Sequence, residues 1–291
     1  MHFGLATPVV THHPAHGAAW EADAGPAELV RIARAADRLG YHHLTCSEHV
    51  AIPAAVAPIR GTRYYDPLAT FGFLAGQTTR IRFATHVLVL PYHHPLAVAK
   101  RYGTLDRLSG GHLILGVGVG TLAEEFALLG AAFDGRGAGY EDALRALRAA
   151  FGRRAPAYAG THHRFDGFVV DPCGVQERIP IWLGGRSPRS LRRALAFGDC
   201  WDPFRLTRDE LAALLPRARG WREWRERAAP FELVLTPDRL LDPTAPDERA
   251  ALADELERYR TLGATIVNLR FRHRSLQHYL EQLEAFAAGI A

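Results

Sequence analysis

The residues with the most chemistry to offer stand where apolar runs end. Ser47-Glu48-His49 closes one such run, setting a carboxylate beside an imidazole that titrates near neutral pH. A pair of this kind can orient a proton donor or hold a substrate carbonyl, and a simple exposed loop histidine is the alternative. A second run, residues 81–91, carries His86 and Val87 and leads to His93-His94-Pro95. A third ends in Gly116-Val117-Gly118-Val119-Gly120-Thr121. Glycine at alternate positions strips side chains from one face, so a flat ring or a backbone can approach closely. The spacing is not GxGxxG, which argues against a dinucleotide fingerprint.

A fourth run ends in Gly184-Gly185-Arg186-Ser187-Pro188. Free amides at the start of a helix, with Arg186 or Arg189, form a phosphate site. Simple capping by Ser187, with Pro188 in the first turn, is the alternative. His12, His13 and His16 invite a metal, but Pro14 prevents the helix that would align His12 with His16, and no HExxH occurs. No metal site is expected. A GxSxG elbow is also absent, so serine hydrolysis has no support.

These residues must be held by regular elements. Eight short apolar runs predict strands at residues 3–7, 42–47, 81–88, 112–117, 181–184, 200–204, 231–235 and 265–271. Amphipathic helices are predicted at 27–39, 68–77, 96–108, 140–151, 187–197, 209–217, 248–262 and 276–288. Gly40, Gly198 and Gly263 read as left-handed C-caps before the next strand. Eight strand–helix units favour an α/β fold closed as a (β/α)8 TIM barrel over an open doubly wound sheet. Residues 50–66, and an insertion at 152–180 between the fourth helix and fifth strand, exceed the minimal repeat. They are lids over the mouth or surface decoration.

The chain has 291 residues, 48% of them hydrophobic, enough for one large core and a single domain spanning 1–291. Three cysteines without CxxC spacing fit a reducing cytoplasm. No signal peptide and no long apolar stretch is present, so membrane association is not expected. The net charge is +4 and the isoelectric point near 9.1. Acids interleave with the arginines, for example at Asp254-Glu255-Leu256-Glu257-Arg258, which argues against nucleic acid.

Taken as a set, the sequence resembles the luciferase-like monooxygenase superfamily over about residues 1–205. The shared text includes Leu39-Gly40-Tyr41, Ser47-Glu48-His49, Tyr65-Asp66-Pro67-Leu68, Val87-Leu88-Val89-Leu90-Pro91, Leu105-Asp106-Arg107-Leu108-Ser109-Gly110-Gly111, Glu124-Glu125-Phe126 and Gly198-Asp199-Cys200-Trp201. It is most similar to the branch using the deazaflavin coenzyme F420. The resemblance implies a hydride-transferring oxidoreductase with a small-molecule substrate and a homodimeric state. Its catalytic pair falls on His49, as proton donor or acceptor, and Glu48, orienting it.

Cofactor contacts implied by the resemblance fall on His86 and Val87, joined by a cis peptide, on Val119, Gly120, Thr121 and Glu124, and on Leu183, Gly184, Gly185 and Arg186. His86 and Cys200 depart from the smaller residues familiar there. FMN is the alternative cofactor, with a flavin reductase partner. The segment Gly118-Val119-Gly120-Thr121 lacks the arginine that often grips the FMN phosphate, which favours F420. A cofactor-binding protein without turnover is the alternative of another class.

Overall fold

The structure is a computed structural model. It describes every residue except His16 and Ala291, and for Ala250 and Ile290 the backbone alone. Eight parallel strands alternate with helices along the chain: β1 (His2–Leu5), β2 (His43–Cys46), β3 (Arg82–Thr85), β4 (Leu113–Gly118), β5 (Ile181–Gly185), β6 (Cys200–Pro203), β7 (Glu232–Leu235) and β8 (Ile266–Leu269). Each pairs with the next in parallel register, and β8 pairs back onto β1, His2 opposite Ile266, closing a barrel. The (β/α)8 architecture expected from the run pattern is therefore present.

The covering helices are α1 (Pro26–Leu39), α2 (Pro67–Ala75), α3 (Pro95–Leu108), α4 (Arg136–Ala150), α5 (Pro188–Phe197), α6 (Arg208–Arg219), α7 (Pro246–Leu262) and α8 (Leu276–Ile290). Strand parity sorts the interior. Phe83, Leu113, Leu115, Leu183, Leu233 and Val267 face the helices in the main core. Ala84, Ile114, Trp182, Cys200, Val234 and Ile266, one residue out of step, form a separate buried cluster on the barrel axis.

Gly40 and Gly263 have positive φ, 79° and 100°, and end α1 and α7 as left-handed caps. Gly198 does not. Its backbone is extended, and a Cβ there would lie 2.4 Å from Leu183 Cδ1, so close packing demands that glycine rather than handedness. Of the two readings of the insertion between α4 and β5, lid or surface decoration, the structure agrees with the second. A segment that leaves a helix enters the next strand from the N-terminal end of the barrel, and none of residues 152–180 borders the mouth cavity. Instead it runs along α3 and α4. Asp106 accepts hydrogen bonds from the Val175 and Gln176 amides at 2.7 and 2.9 Å, and Asp142 from those of His162 and His163, both at 2.9 Å. The segment after β2 does reach the mouth, where Arg63–Tyr64 pairs antiparallel with Thr11–His12.

A very close backbone approach in the barrel is at Gly116, where a Cβ would sit 1.9 Å from the Thr85 carbonyl oxygen. Gly116→Ala is expected to cost about 3 kcal/mol, the upper range for overpacking. By contrast Gly72, exposed on α2 with open space around it, should gain about 0.5–1 kcal/mol as alanine. Urea denaturation of the two variants checks both signs.

Candidate active site

At the C-terminal end of the strands opens a cavity of about 1030 Å³. The ends of β2 and β3 build one wall, stitched together by hydrogen bonds. His86 N–H donates to Cys46 O at 2.8 Å, Glu48 N–H to Val87 O at 3.2 Å, and Ser47 Oγ to His86 O at 2.6 Å. The His86–Val87 peptide is cis. Beyond it the Val87 side chain lodges against the next strands. A Cβ at Gly118 would fall 2.6 Å from Val87 Cγ2, and one at Gly184 3.1 Å from Val87 Cγ1. The glycines at the ends of β4 and β5 thus make room for the protein's own chain. Gly120 does the same for Phe126 and Val89. Of the two approaches the alternating glycines allow, a ring or a backbone, the strand's own neighbours take the space: the Thr85 carbonyl lies over Gly116, and Val87, seated against Gly118, is the surface presented.

His49 borders the cavity, but the carboxylate on it is not Glu48. Its Nδ1 lies 2.8 Å from Glu125 Oε2. Glu125 is fully buried and also accepts from Val50 N–H at 2.6 Å, Ala51 N–H at 3.2 Å and the Tyr92 hydroxyl at 3.0 Å. With three other donors aimed at it, the group acts as acceptor only, so the imidazole proton sits on Nδ1 and Nε2 is the nitrogen left to work. An edge-on contact with Tyr64, centroids 4.6 Å apart, fixes the ring's other side. The adjacent Glu48 turns the opposite way because successive residues at a strand end alternate sides. It accepts from Val89 N–H at 2.6 Å and pairs with His93 Nε2 at 2.7 Å.

Across the cavity, His86 Nε2 meets Asp202 Oδ2 at 3.0 Å. Burial alone would lower the imidazole pKa. The Asp202 charge and hydrogen bond outweigh that, and the net shift is upward from 6.5. Among the described residues, four buried polar atoms of cavity-lining side chains lack a partner within the protein: Asp202 Oδ1, Asn268 Oδ1, Arg270 Nε and the Tyr279 hydroxyl. Burial depresses the Arg270 pKa, partly offset by Asp238.

At the start of α5, Ser187 Oγ accepts from Ser190 N–H at 3.2 Å while Ser190 Oγ accepts from Ser187 N–H at 3.1 Å. Gly185, φ 146°, makes room for the Ser190 side chain. The reciprocal cap therefore accounts for the glycine as well as the serine. Arg186 reaches past Phe204 at the cavity edge, and Arg193, also lining it, pairs with Glu141 at 2.7 Å.

Of the residues expected at the site, His49, Glu48, His86, Val87, Val119, Gly120, Thr121, Leu183, Gly184, Gly185 and Arg186 line the cavity. Glu124 does not; it is exposed on the short helix Ala123–Leu128, whose one-residue rotation gives the inward place to Glu125. His16 lies outside the described residues. Among those described, no group of three or more His, Cys, Asp and Glu side chains is placed to hold a metal. Asp202, Asn268 and Arg270 were missed by sequence reasoning, although their signal was present. Each is polar at an inward step of period two, Cys200 to Asp202 and Ile266 to Asn268 to Arg270.

The profile of the luciferase-like monooxygenase family matches residues 1–288. An uncharacterised protein of Mycobacterium tuberculosis is 28% identical over 287 residues, covering 90% of this chain and 93% of its own. Among solved structures, the monooxygenase RslO1 of Streptomyces bottropensis shares the fold with a TM-score of 0.76 at 21% identity, covering 100% of this chain and 98% of that one. An F420-dependent secondary alcohol dehydrogenase, in complex with an F420–acetone adduct, superposes with a TM-score of 0.72 at 15% identity, covering 98% of both chains. The FMN-bound oxygenating constituent of 3,6-diketocamphane monooxygenase of Pseudomonas putida also gives 0.72, at 16% identity and 100% and 98% coverage.

Because Asp202 outweighs burial at His86, Asp202→Asn should drop the His86 titration midpoint below the wild-type value, read by NMR of the imidazole. The wild-type pair stabilises the fold fully below pH 6.5, and that contribution is lost as pH rises through the raised pKa. The variant should lack this alkaline loss.

Proposed function

The chain belongs to the luciferase-like monooxygenase family, and on that premise we propose that it is an oxidoreductase moving a hydride between coenzyme F420 and a small organic substrate. The observation that carries the reading is His49 on the cavity wall, paired with the buried Glu125 and with its Nε2 left to exchange a proton. Bound in the cavity, the deazaflavin supplies the hydride chemistry.

The residues present fit such a group. The unpartnered Asp202 Oδ1, Asn268 Oδ1 and Arg270 Nε offer two acceptors and a donor to a ring edge of alternating N–H and C=O. Val87, wedged between Gly118 and Gly184, would bear one ring face. Gly185 and Arg186 at the start of α5 would meet a phosphate. F420 is favoured over FMN because Val119-Gly120-Thr121 carries no cation. The first arginine after β4, Arg136, is turned onto the Phe133 ring at 3.6 Å and donates to Phe133 O.

In turnover, Glu125 holds the His49 tautomer; the bare His49 Nε2 takes a proton from the substrate hydroxyl in the oxidising direction, and the imidazolium so formed returns it to the substrate oxygen in the reducing one. Glu48 and His93 brace the β2–β3 wall rather than the proton donor. With cysteines present as thiols, the enzyme suits a reducing cytoplasm.

Titration of the protein with F420 and with FMN, followed by fluorescence quenching, tests the cofactor. F420 binding alone is expected, whereas FMN alone would move the assignment to a monooxygenase with a reductase partner. His49→Ala and Glu125→Gln should each lower kcat by about 10²-fold or more while leaving F420 affinity near wild type. Full activity in His49→Ala would overturn the assignment.

A further inference from the structure

The barrel axis holds a polar feature that the proton donor above does not use. Below the cavity one layer of the axis is apolar, formed by Ala84, Ile114, Trp182, Cys200, Val234 and Ile266. Into this region projects His43, inward by the same parity as Thr45 and with no exposed surface. Its ring occupies the space a side chain at residue 4 would need, since a Cβ on Gly4 would fall 1.9 Å from Cε1. Gly4 is itself in register with Asn268. Trp182 packs edge-on against the ring at 5.0 Å.

The two nitrogens of His43 are treated differently. Nδ1 is 2.9 Å from Nδ1 of His42, whose ring is partly exposed at the N-terminal end of the barrel and stacks on the exposed His2 at 5.0 Å. Nε2 is buried and has no partner. On the cavity side, Asp202 Oδ1 and Asn268 Oδ1 are likewise buried and unpartnered, while Asp202 Oδ2 holds His86. A histidine kept only for packing would be bonded at both nitrogens or give way to an apolar side chain, because a bare buried nitrogen is destabilising. Buried polar atoms in this state commonly hold internal water.

We propose that the barrel axis is a proton path, in which internal water joins His43 Nε2 to the Asp202 and Asn268 side chains, and His43 and His42 continue it to solvent at the opposite end of the barrel. It rests on the proposed function in one respect: a ring filling the cavity would close the direct route from the mouth, so protons need another. For inward transfer, His42 takes a solvent proton at Nε2 while its Nδ1 proton passes to Nδ1 of His43. The Nε2 proton of His43 then passes through water to the Asp202 carboxylate. Both imidazoles begin and end neutral with tautomers exchanged, and outward transfer restores them. Burial, with Arg82 and His2 nearby, holds the His42 pKa down to about 4, and burial with His42, His86 and Arg82 holds His43 well below its usual value. Each ring therefore rests neutral, with one donor and one acceptor nitrogen. Glu232 is the acid at the same end, its pKa raised by burial and partly offset by Arg82 and His2.

A high-resolution crystal structure of the cofactor-free protein should show ordered water within about 3.2 Å of His43 Nε2. In protein saturated with F420, deuterium exchange of the His86 ring proton, followed by NMR, should slow by about tenfold or more in His43→Phe. His43→Gln serves if the phenylalanine variant does not fold; it should keep the water and still slow exchange, because an amide cannot relay. A dry Nε2, or exchange unchanged by either substitution, would overturn the path. Should F420 fail to bind, the proposed function falls, and the water at His43 still decides this inference on the cofactor-free crystal.

Discussion

The site depends on how tightly the end of β3 is pressed into its neighbours. Thr85 O lies over Gly116, and Val87 fills the slot between Gly118 and Gly184. Any side chain at Gly116 or Gly118 would push this segment inward, and with it His86, whose backbone is tied to Cys46 and Ser47 on β2. Because interiors pack densely, such a displacement cannot be absorbed locally. The position of one valine therefore sets the wall of the cavity and the direction in which two strand ends point.

From that wall follow three carboxylate–imidazole pairs around one cavity: Glu125 with His49, Glu48 with His93, and Asp202 with His86. They are not equivalent. Glu125 collects two loop amides, a phenol and an imidazole, so it fixes the loop after β2 as much as it fixes His49. Glu48 ties β2 to the turn after β3 through Val89 N–H. Only the Asp202 pair adjoins unpartnered polar atoms, which marks that side of the cavity for a ligand with hydrogen-bonding edges.

The barrel was readable from sequence because parallel strands buried on both faces give unbroken apolar runs, and each of the eight runs became a strand. Residues lining the cavity were readable for the same reason, since strand ends in a barrel meet at one rim. Pairings across the rim were not. Glu48 adjoins His49 in sequence, yet the carboxylate that reaches His49 is 76 residues away, and neighbours at a strand end diverge. Glu124 and Glu125 could not be told apart without the rotation of a helix only six residues long. The glycines at the end of β4 announced a close approach, but not what approaches. The insertion at 152–180 could be a lid or surface decoration; its place between a helix and a strand, which fixes the end of the barrel it enters, already favoured the second.

The claim at the centre of this account is that the Val87 wall and the Asp202–Asn268–Arg270 side together receive the ring of a flavin-type cofactor. A crystal structure of the protein with F420 bound tests it most directly. The account predicts one ring face against Val87 and hydrogen bonds from a ring edge to Asp202, Asn268 or Arg270. A ring bound away from Val87, with those three polar atoms still unpartnered, would contradict it.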